Sequence, residues 1–205
     1  MENIRVLQPQ PTPGDDGARL MLAYQGGDES AFDRLVEMYS GQVYALLTRF
    51  LGNQSGRDDL LQEVFLRVIR ARDRYTPTAR FSTWLYRIAF NLCVNEKQRA
   101  GGRGVLSLDG VLEEGGVSLD PEDPSAPPPS ERMESDDVVS AVRGAIASLP
   151  STQRMALILA KYDGLPYSQI AEVMESSEKA IKSLIHRARE NLRERLRPFL
   201  QEEFA

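Results

Sequence analysis

The stretch DPEDPSAPPPSER, residues 120–132, cuts this 205-residue chain in two. Proline lacks an amide hydrogen and its ring clashes with the preceding turn. A run this rich in proline therefore forms neither a helix interior nor a central strand. With its acidic residues it reads as an extended linker. On both sides of it, apolar residues recur at helical spacing. The expected fold is all-α, with two small helical domains over residues 28–103 and 136–205. A flexible acidic linker at 104–135 joins them, and residues 1–27 form a disordered tail whose first part is rich in Pro, Gly and Asp.

In the first domain, Phe32, Leu35, Val36, Tyr39, Val43, Leu46, Leu47, Phe50 and Leu51 fit one helix, with Gly41 as its weak point or break. Arg57–Arg72, RDDLLQEVFLRVIRAR, is the next helix. Asp58 and Asp59 suit its positive N-terminal end, and Arg70 and Arg72 its C-terminal end. Leu61, Val64, Phe65, Val68 and Ile69 are expected in the core, which leaves Asp59, Gln62, Glu63 and Arg67 facing elsewhere. Tyr75-Thr76-Pro77 ends the helix, because proline disfavours helical geometry in the residue before it.

Arg80–Arg103, RFSTWLYRIAFNLCVNEKQRAGGR, combines two faces. Phe81, Trp84, Leu85, Ile88, Ala89 and Leu92 make an apolar one. Arg87, Asn91, Asn95 and Gln98 make a narrow polar stripe that runs into Lys97, Arg99 and Arg103, with Gly101-Gly102 ending the helix. Amides place a donor beside an acceptor, which suits the edge of an exposed base, and the cations suit phosphate. The plainer reading is a core helix with a solvated amide edge.

The net charge of −5 looks wrong for a nucleic-acid binder, but it is unevenly spread. Residues 67–103 carry +7, residues 104–140 carry −9 and residues 178–197 carry +4. Two basic blocks around an acidic strip is a footprint suited to nucleic acid. One cysteine, Cys93, excludes an internal disulfide, and with one histidine, His186, it leaves no triad and no Cys-rich metal cluster. No cofactor is expected. The chain starts without an apolar signal core, and no apolar run approaches the roughly 20 residues that span a bilayer, so a cytoplasmic protein without membrane insertion is expected.

In the second domain Val138, Val139, Val142, Ala145 and Ile146 share one side of a helix, and Leu149-Pro150 breaks it. Ser151 is placed to cap a helix carrying Met155, Leu157, Ile158 and Leu159. Pro166 opens a short helix through Ile170, Ala171, Val173 and Met174. The turn Glu175-Ser176-Ser177, with a Ser cap, leads to a last helix from Glu178 that should stop before Pro198. Two helices joined by a turn this short form a helix-turn-helix. Ile181, Leu184, Ile185, Ala188, Leu192 and Leu196 line its inner side. Lys179, Lys182, Ser183, His186 and Arg187 lie outside, on the part of a recognition helix that reaches base edges.

Three words in this order, Asp59-Leu60-Leu61-Gln62-Glu63-Val64-Phe65, then Phe81-Ser82-Thr83-Trp84-Leu85-x-x-Ile88-Ala89-x-Asn91, then Ala188-Arg189-Glu190-x-Leu192 in the final helix, closely resemble extracytoplasmic-function sigma factors of the sigma-70 family. The resemblance implies that residues 28–103 are region 2 and residues 136–205 region 4. It implies core RNA polymerase and promoter DNA as partners, an anti-sigma factor as a further one, and no catalytic site. By position, Asp59, Gln62 and Glu63 would contact core polymerase. Arg87, Asn91, Asn95, Lys97, Arg99 and Arg103 would contact the −10 element. Lys179, Lys182, Ser183, His186 and Arg187 would contact the −35 element. The linker would thread toward the RNA exit path. A stand-alone helix-turn-helix regulator is the alternative, and a small enzyme with dispersed carboxylates is the remaining rival.

Overall fold

Eight α-helices and one 3-10 turn follow one another in the computed structural model, which describes residues 14–52, 56–100 and 133–202, with side chains over 14–52, 56–96 and 139–199. No strand occurs among the described residues. The all-α expectation is met. The first helices are α1 (Asp16–Gln25), α2 (Glu29–Leu51), α3 (Arg57–Arg70) and α4 (Phe81–Ala100), with the 3-10 turn Arg72–Arg74 after α3. The second group is α5 (Met133–Ala147), α6 (Ser151–Lys161), α7 (Tyr167–Val173) and α8 (Glu178–Glu202).

Helix α1 overturns part of the expected tail. One of its orphan donors, the Ala18 amide, is capped by Asp15 Oδ1 at 3.0 Å. The other oxygen, Oδ2, accepts from the Phe81 amide at 2.8 Å, where α4 begins. One buried carboxylate thus satisfies two helix starts, each an end that otherwise leaves amides unpaired. Ala18, Met21 and Tyr24 then bury against α2. Residues 1–13 lie outside the described part of the chain.

Helix α2 starts at Asp28, whose side chain accepts from the Ser30 amide, and runs unbroken through Gly41 to Gly52, whose φ of 67° ends it. Leu35, Leu46, Leu47 and Phe50 of α2 meet Val64 and Val68 of α3 and Phe81 and Leu85 of α4, all fully buried. At roughly 1.5–3 kcal/mol for each fully buried large apolar side chain, this is the main term holding the first half together. Beside it, Phe81 stacks at 5.0 Å from Tyr39 and 5.5 Å from Trp84, and Tyr75 lies 5.1 Å from Trp84. Trp84 is partly buried against the core, as its place in the apolar face predicted.

Several boundaries shift. Helix α5 begins at Met133, inside the segment assigned to the linker, whose remainder lies outside the described residues. Val139 of α5 faces solvent rather than the core. Pro150, not Ser151, occupies the cap of α6, with no side-chain cap bond. Ser177 does cap α8, accepting from the Ala180 amide at 3.2 Å. Helix α8 continues through Pro198, which lacks only one amide bond there, instead of stopping before it.

The two halves are in contact. Helix α6 packs on α2, and α7 packs on α4. The buried apolar cluster is continuous from Leu35 and Phe50 through Met155 and Ile158 to Ile170 and Ile181. Arg154 of α6, 3 % exposed, donates across this junction to the Phe50 carbonyl at 2.7 Å and to the Leu149 carbonyl at 3.2 Å. Burial without an anion lowers its guanidinium to about 10.

Candidate nucleic-acid and polymerase interfaces

Helix α3 presents one exposed stripe. Leu60, Val64, Phe65 and Val68 point inward, which turns Asp59, Gln62, Leu66 and Ile69 to solvent at spacings of three and four. Ile69, expected in the core, is 40 % exposed, and Leu66 is 38 % exposed. Sequence reasoning missed both as surface residues. The signal was available in Leu66, which falls outside the apolar arc. Glu63 is half-buried and already engaged: Arg67 Nε and Arg70 Nη1 each donate to its Oε1 at 3.1 Å. That bond to Arg67, with the charge of Arg70, holds the Glu63 carboxyl below its usual range. An apolar pair flanked by Asp59 and Gln62 is a surface suited to another protein's helix rather than to nucleic acid.

Helix α4 carries the first three members of the expected stripe, and the side chain of Gln98 lies outside the described set. Arg87 and Asn91 are half-buried and Asn95 is exposed, one turn after another. Lys97 and Arg99 lie in the last turn of α4 with their side chains outside the described set, and Arg103 lies outside it altogether. Cys93, on the inner side, is fully buried, and burial pushes its thiol up to about 12, so it is an inert apolar filler. Beside Arg87 a cleft of about 330 Å³ opens, lined by Tyr75, Thr76, Thr78, Ala79, Thr83 and Trp84, with Glu172 of α7 on its far wall. Two of these residues also carry buried oxygens without a hydrogen-bond partner, Thr83 Oγ1 and Tyr75 Oη. This cleft, built by the loop before α4, was not legible as a site. Its residues read as a helix stop and an apolar face. Arg87 meets a carboxylate while staying partly open to solvent: its Nη1 lies 3.5 Å from Glu175 Oε1 in the turn after α7.

Helix α8 buries Ile181, Ile185 and Ala188 and turns Lys179, Lys182, His186 and Arg187 outward, with Ser183 half-buried beside them. All five expected residues therefore share one face. Asn191 Nδ2 donates to Gln153 Oε1 at 2.8 Å and fixes α8 against α6. Among the described residues no cluster of His, Cys, Asp or Glu could hold a metal ion, and no helix is long and apolar enough to cross a membrane.

Residues 35–103 match the sigma-70 region 2 family and residues 140–192 the sigma-70 region 4 family. The RNA polymerase sigma-H factor of Pseudomonas aeruginosa is 34 % identical over 188 residues, covering 90 % of this chain and 95 % of that protein. The ECF RNA polymerase sigma-E factor of Escherichia coli is 34 % identical over 187 residues, covering 89 % and 95 %. The chain belongs to the ECF sigma factors of the sigma-70 family. As a sigma factor it directs promoter-specific transcription. Its two halves are thus region 2 and region 4. Solved structures agree on the fold. CnrH, in complex with the cytosolic domain of CnrY, gives a TM-score of 0.64 at 22 % identity, covering 90 % of this sigma factor and 99 % of that chain. The sigma factor RpoE of Bartonella quintana, in complex with the anti-sigma factor NepR, gives 0.57 at 21 % identity, covering 81 % and 96 %.

Proposed function

We propose that this sigma factor uses three separate faces for three separate partners. The outer stripe of α3, with Asp59, Gln62 and Glu63, holds core RNA polymerase. The stripe of α4, with Arg87, Asn91, Asn95, Lys97, Arg99 and Arg103, receives the −10 element. The outer face of α8, with Lys179, Lys182, Ser183, His186 and Arg187, reads the −35 element as duplex. The polymerase supplies the chemistry, the reaction takes place in the cytoplasm, and an anti-sigma factor is a further partner. The observation that carries this reading is the convergence of Lys179, Lys182, Ser183, His186 and Arg187 on one side of α8, opposite a fully buried Ile181 and Ala188. A helix with that division inserts its N-terminal half into a major groove while its back stays in the core.

Run-off transcription with purified core polymerase and genomic fragments tests it, followed by binding of the holoenzyme to the mapped promoter. Lys182→Ala or Arg187→Ala should weaken promoter binding by about 1–3 kcal/mol where the side chain pairs with a base. A phosphate-only role would weaken all sequences alike and flatten the salt dependence. Unchanged affinity in both variants would remove α8 as the reader. Tight, specific duplex binding without any polymerase would favour the stand-alone regulator.

A further inference from the structure

We propose that α1 shapes the cleft beside Arg87 from behind, with Gln25 and Asp15 as positioning residues that hold the two ends of the loop between α3 and α4. The inference rests on the assignment of Arg87 and its stripe to the −10 element. Both residues lie outside residues 35–103, the part that matches region 2. The loop walls the cleft: Tyr75, Thr76, Thr78 and Ala79 line it together with Thr83, Trp84 and Arg87. It has little structure of its own. Within residues 76–80 one internal backbone bond is present among the described residues, from the Thr78 amide to the Thr76 carbonyl at 2.8 Å. A segment so poor in internal bonds takes its course from what holds its ends.

Helix α1 holds both ends. At the start, the Gln25 side-chain nitrogen donates to the Arg72 carbonyl at 2.9 Å and to the Tyr75 carbonyl at 3.2 Å. Both hydrogens of that amide are used, and a place between two carbonyls can be filled only by a donor. The Arg72 side chain adds to the grip. Its guanidinium lies 4.2 Å from the centre of the Tyr24 ring, and its Nη1 donates to Glu29 Oε1 at 2.7 Å. At the far end, Asp15 Oδ2 accepts from the Phe81 amide at 2.8 Å. Asp15 and Gln25 stand at opposite ends of a ten-residue helix, roughly 15 Å apart at 1.5 Å per residue. The chain from Arg72 to Phe81 could extend over roughly 30 Å, so α1 fixes the loop at about half its reach.

Tyr75 carries the effect to the cleft. Its carbonyl is held by Gln25, and its ring packs 5.1 Å from Trp84. Trp84 lies one helical turn before Arg87 on α4, and both line the cleft. Release of Gln25 would let the loop drift and reshape the cleft around Arg87, although no residue of α1 lines it. Gln25 is half-buried and bonds loop backbone rather than the apolar core, so water can replace it at the two carbonyls without loss of the fold.

Asp15 also caps α1, so its variants would mix folding with positioning, and the test falls on Gln25 in the full chain. Gln25→Ala removes the donors. Gln25→Glu keeps the length but sets a carboxylate against two carbonyls. Trp84 is the sole tryptophan, so its emission reports the loop directly in the free chain. Acrylamide quenching of Trp84 should rise in both variants. With core polymerase on the mapped promoter, permanganate reactivity of unpaired thymines should show opening slowed about threefold to tenfold, the range of one hydrogen bond. Core affinity should stay at the wild-type value, and a template mismatched in advance at the −10 element should restore the wild-type rate. Glu29→Ala breaks only the exposed ion pair to Arg72 and decides the matter where the Gln25 variants unfold. It should move quenching and opening in the same direction. Wild-type quenching or wild-type opening in a folded Gln25 variant would overturn the proposal, as would slowing that persists on the mismatched template. Arg87→Ala separates the two readings. If it opens the paired template at the wild-type rate, the −10 assignment fails, and Trp84 quenching then judges the hold of α1 on the loop.

Discussion

Gly17 sits in the first turn of α1, where alanine would ordinarily favour a helix by up to about 1 kcal/mol. Here the sign reverses. A Cβ at Gly17 would overlap Tyr39 Oη and lie 2.7 Å from Phe81 Cδ1 and 2.9 Å from Phe81 Cβ. Tyr39 and Phe81 are themselves wedged between α2 and α4, so neither can retreat without disturbing the core. Gly17→Ala is expected to lower stability by about 1–3 kcal/mol, the usual cost of overpacking, as read from urea unfolding of the full chain. Stability equal to or above wild type would show that α1 does not dock as described. This same residue explains a failure of sequence reading. Gly14, Gly17 and the neighbouring aspartates have the composition of a tail, and a ten-residue helix is too short to persist alone. What holds α1 is Asp15 bonding an amide 66 positions away, a contact that no local pattern announces.

At the scale of elements, the helices were legible wherever apolar residues kept a 3.6 period, and α2, α3, α4 and α8 all follow from it. Ambiguity lay at the edges of the faces. Val68 and Ile69 are adjacent and both β-branched, but only Val68 turns inward, because Leu60 and Val64 set the centre of the buried arc. Ile69 then joins Leu66, Gln62 and Asp59 in the exposed stripe, while Arg67 and Arg70 tie up Glu63. This arrangement shifts the weight of the proposed polymerase contact from Glu63 toward Leu66 and Gln62. Hot spots at interfaces combine a desolvated apolar anchor with a polar neighbour. Leu66→Ala with Gln62→Ala should weaken core polymerase binding at least about tenfold in a competition titration. Both side chains are exposed, so unfolding should move by no more than about 0.5 kcal/mol. Full affinity in the folded double variant would remove this face from the polymerase contact.

For the whole molecule, the sequence indicated two helical units but not their junction. The residues that make it read singly as ordinary surface charges: Arg49 at the end of α2, Arg154 in α6 and Asp163 after it. Their meaning appears only when α6 lies on α2, which buries Arg154 and brings Arg49 to Asp163. Arg49 lies 4.0 Å from Asp163 and stacks on the Tyr162 ring at 4.8 Å. Arg154 caps the Phe50 carbonyl, whose loss of a donor in a buried setting would cost about 1–3 kcal/mol.

The weak partner in this junction is Asp163. Its Oδ2 is buried without a hydrogen bond, and burial raises its carboxyl above the ordinary value of 3.8 despite Arg49 nearby. Tyr86 of α4 faces it, and burial together with the Asp163 charge pushes that phenol up to about 12, so the tyrosine stays neutral throughout the working range. The charged and titratable groups around Asp163 are therefore Arg49 and Tyr86, neither of which changes charge near neutrality. A carboxyl with a raised value binds its proton more tightly in the packed chain than in one whose halves have separated, where it reverts to the ordinary value. Packing then strengthens as pH falls through the raised value, and the penalty of the buried charge is fully present above it. Lowering pH from neutrality toward the ordinary carboxyl value of 3.8 should increase energy transfer between dyes on the two halves. Asp163→Asn removes the titrating charge and retains the shape, so the variant should already be more closed at neutral pH and should lose most of that pH response. Equal pH responses in wild type and Asp163→Asn would place the proton uptake elsewhere and exclude Asp163 as the group that sets the strength of the junction.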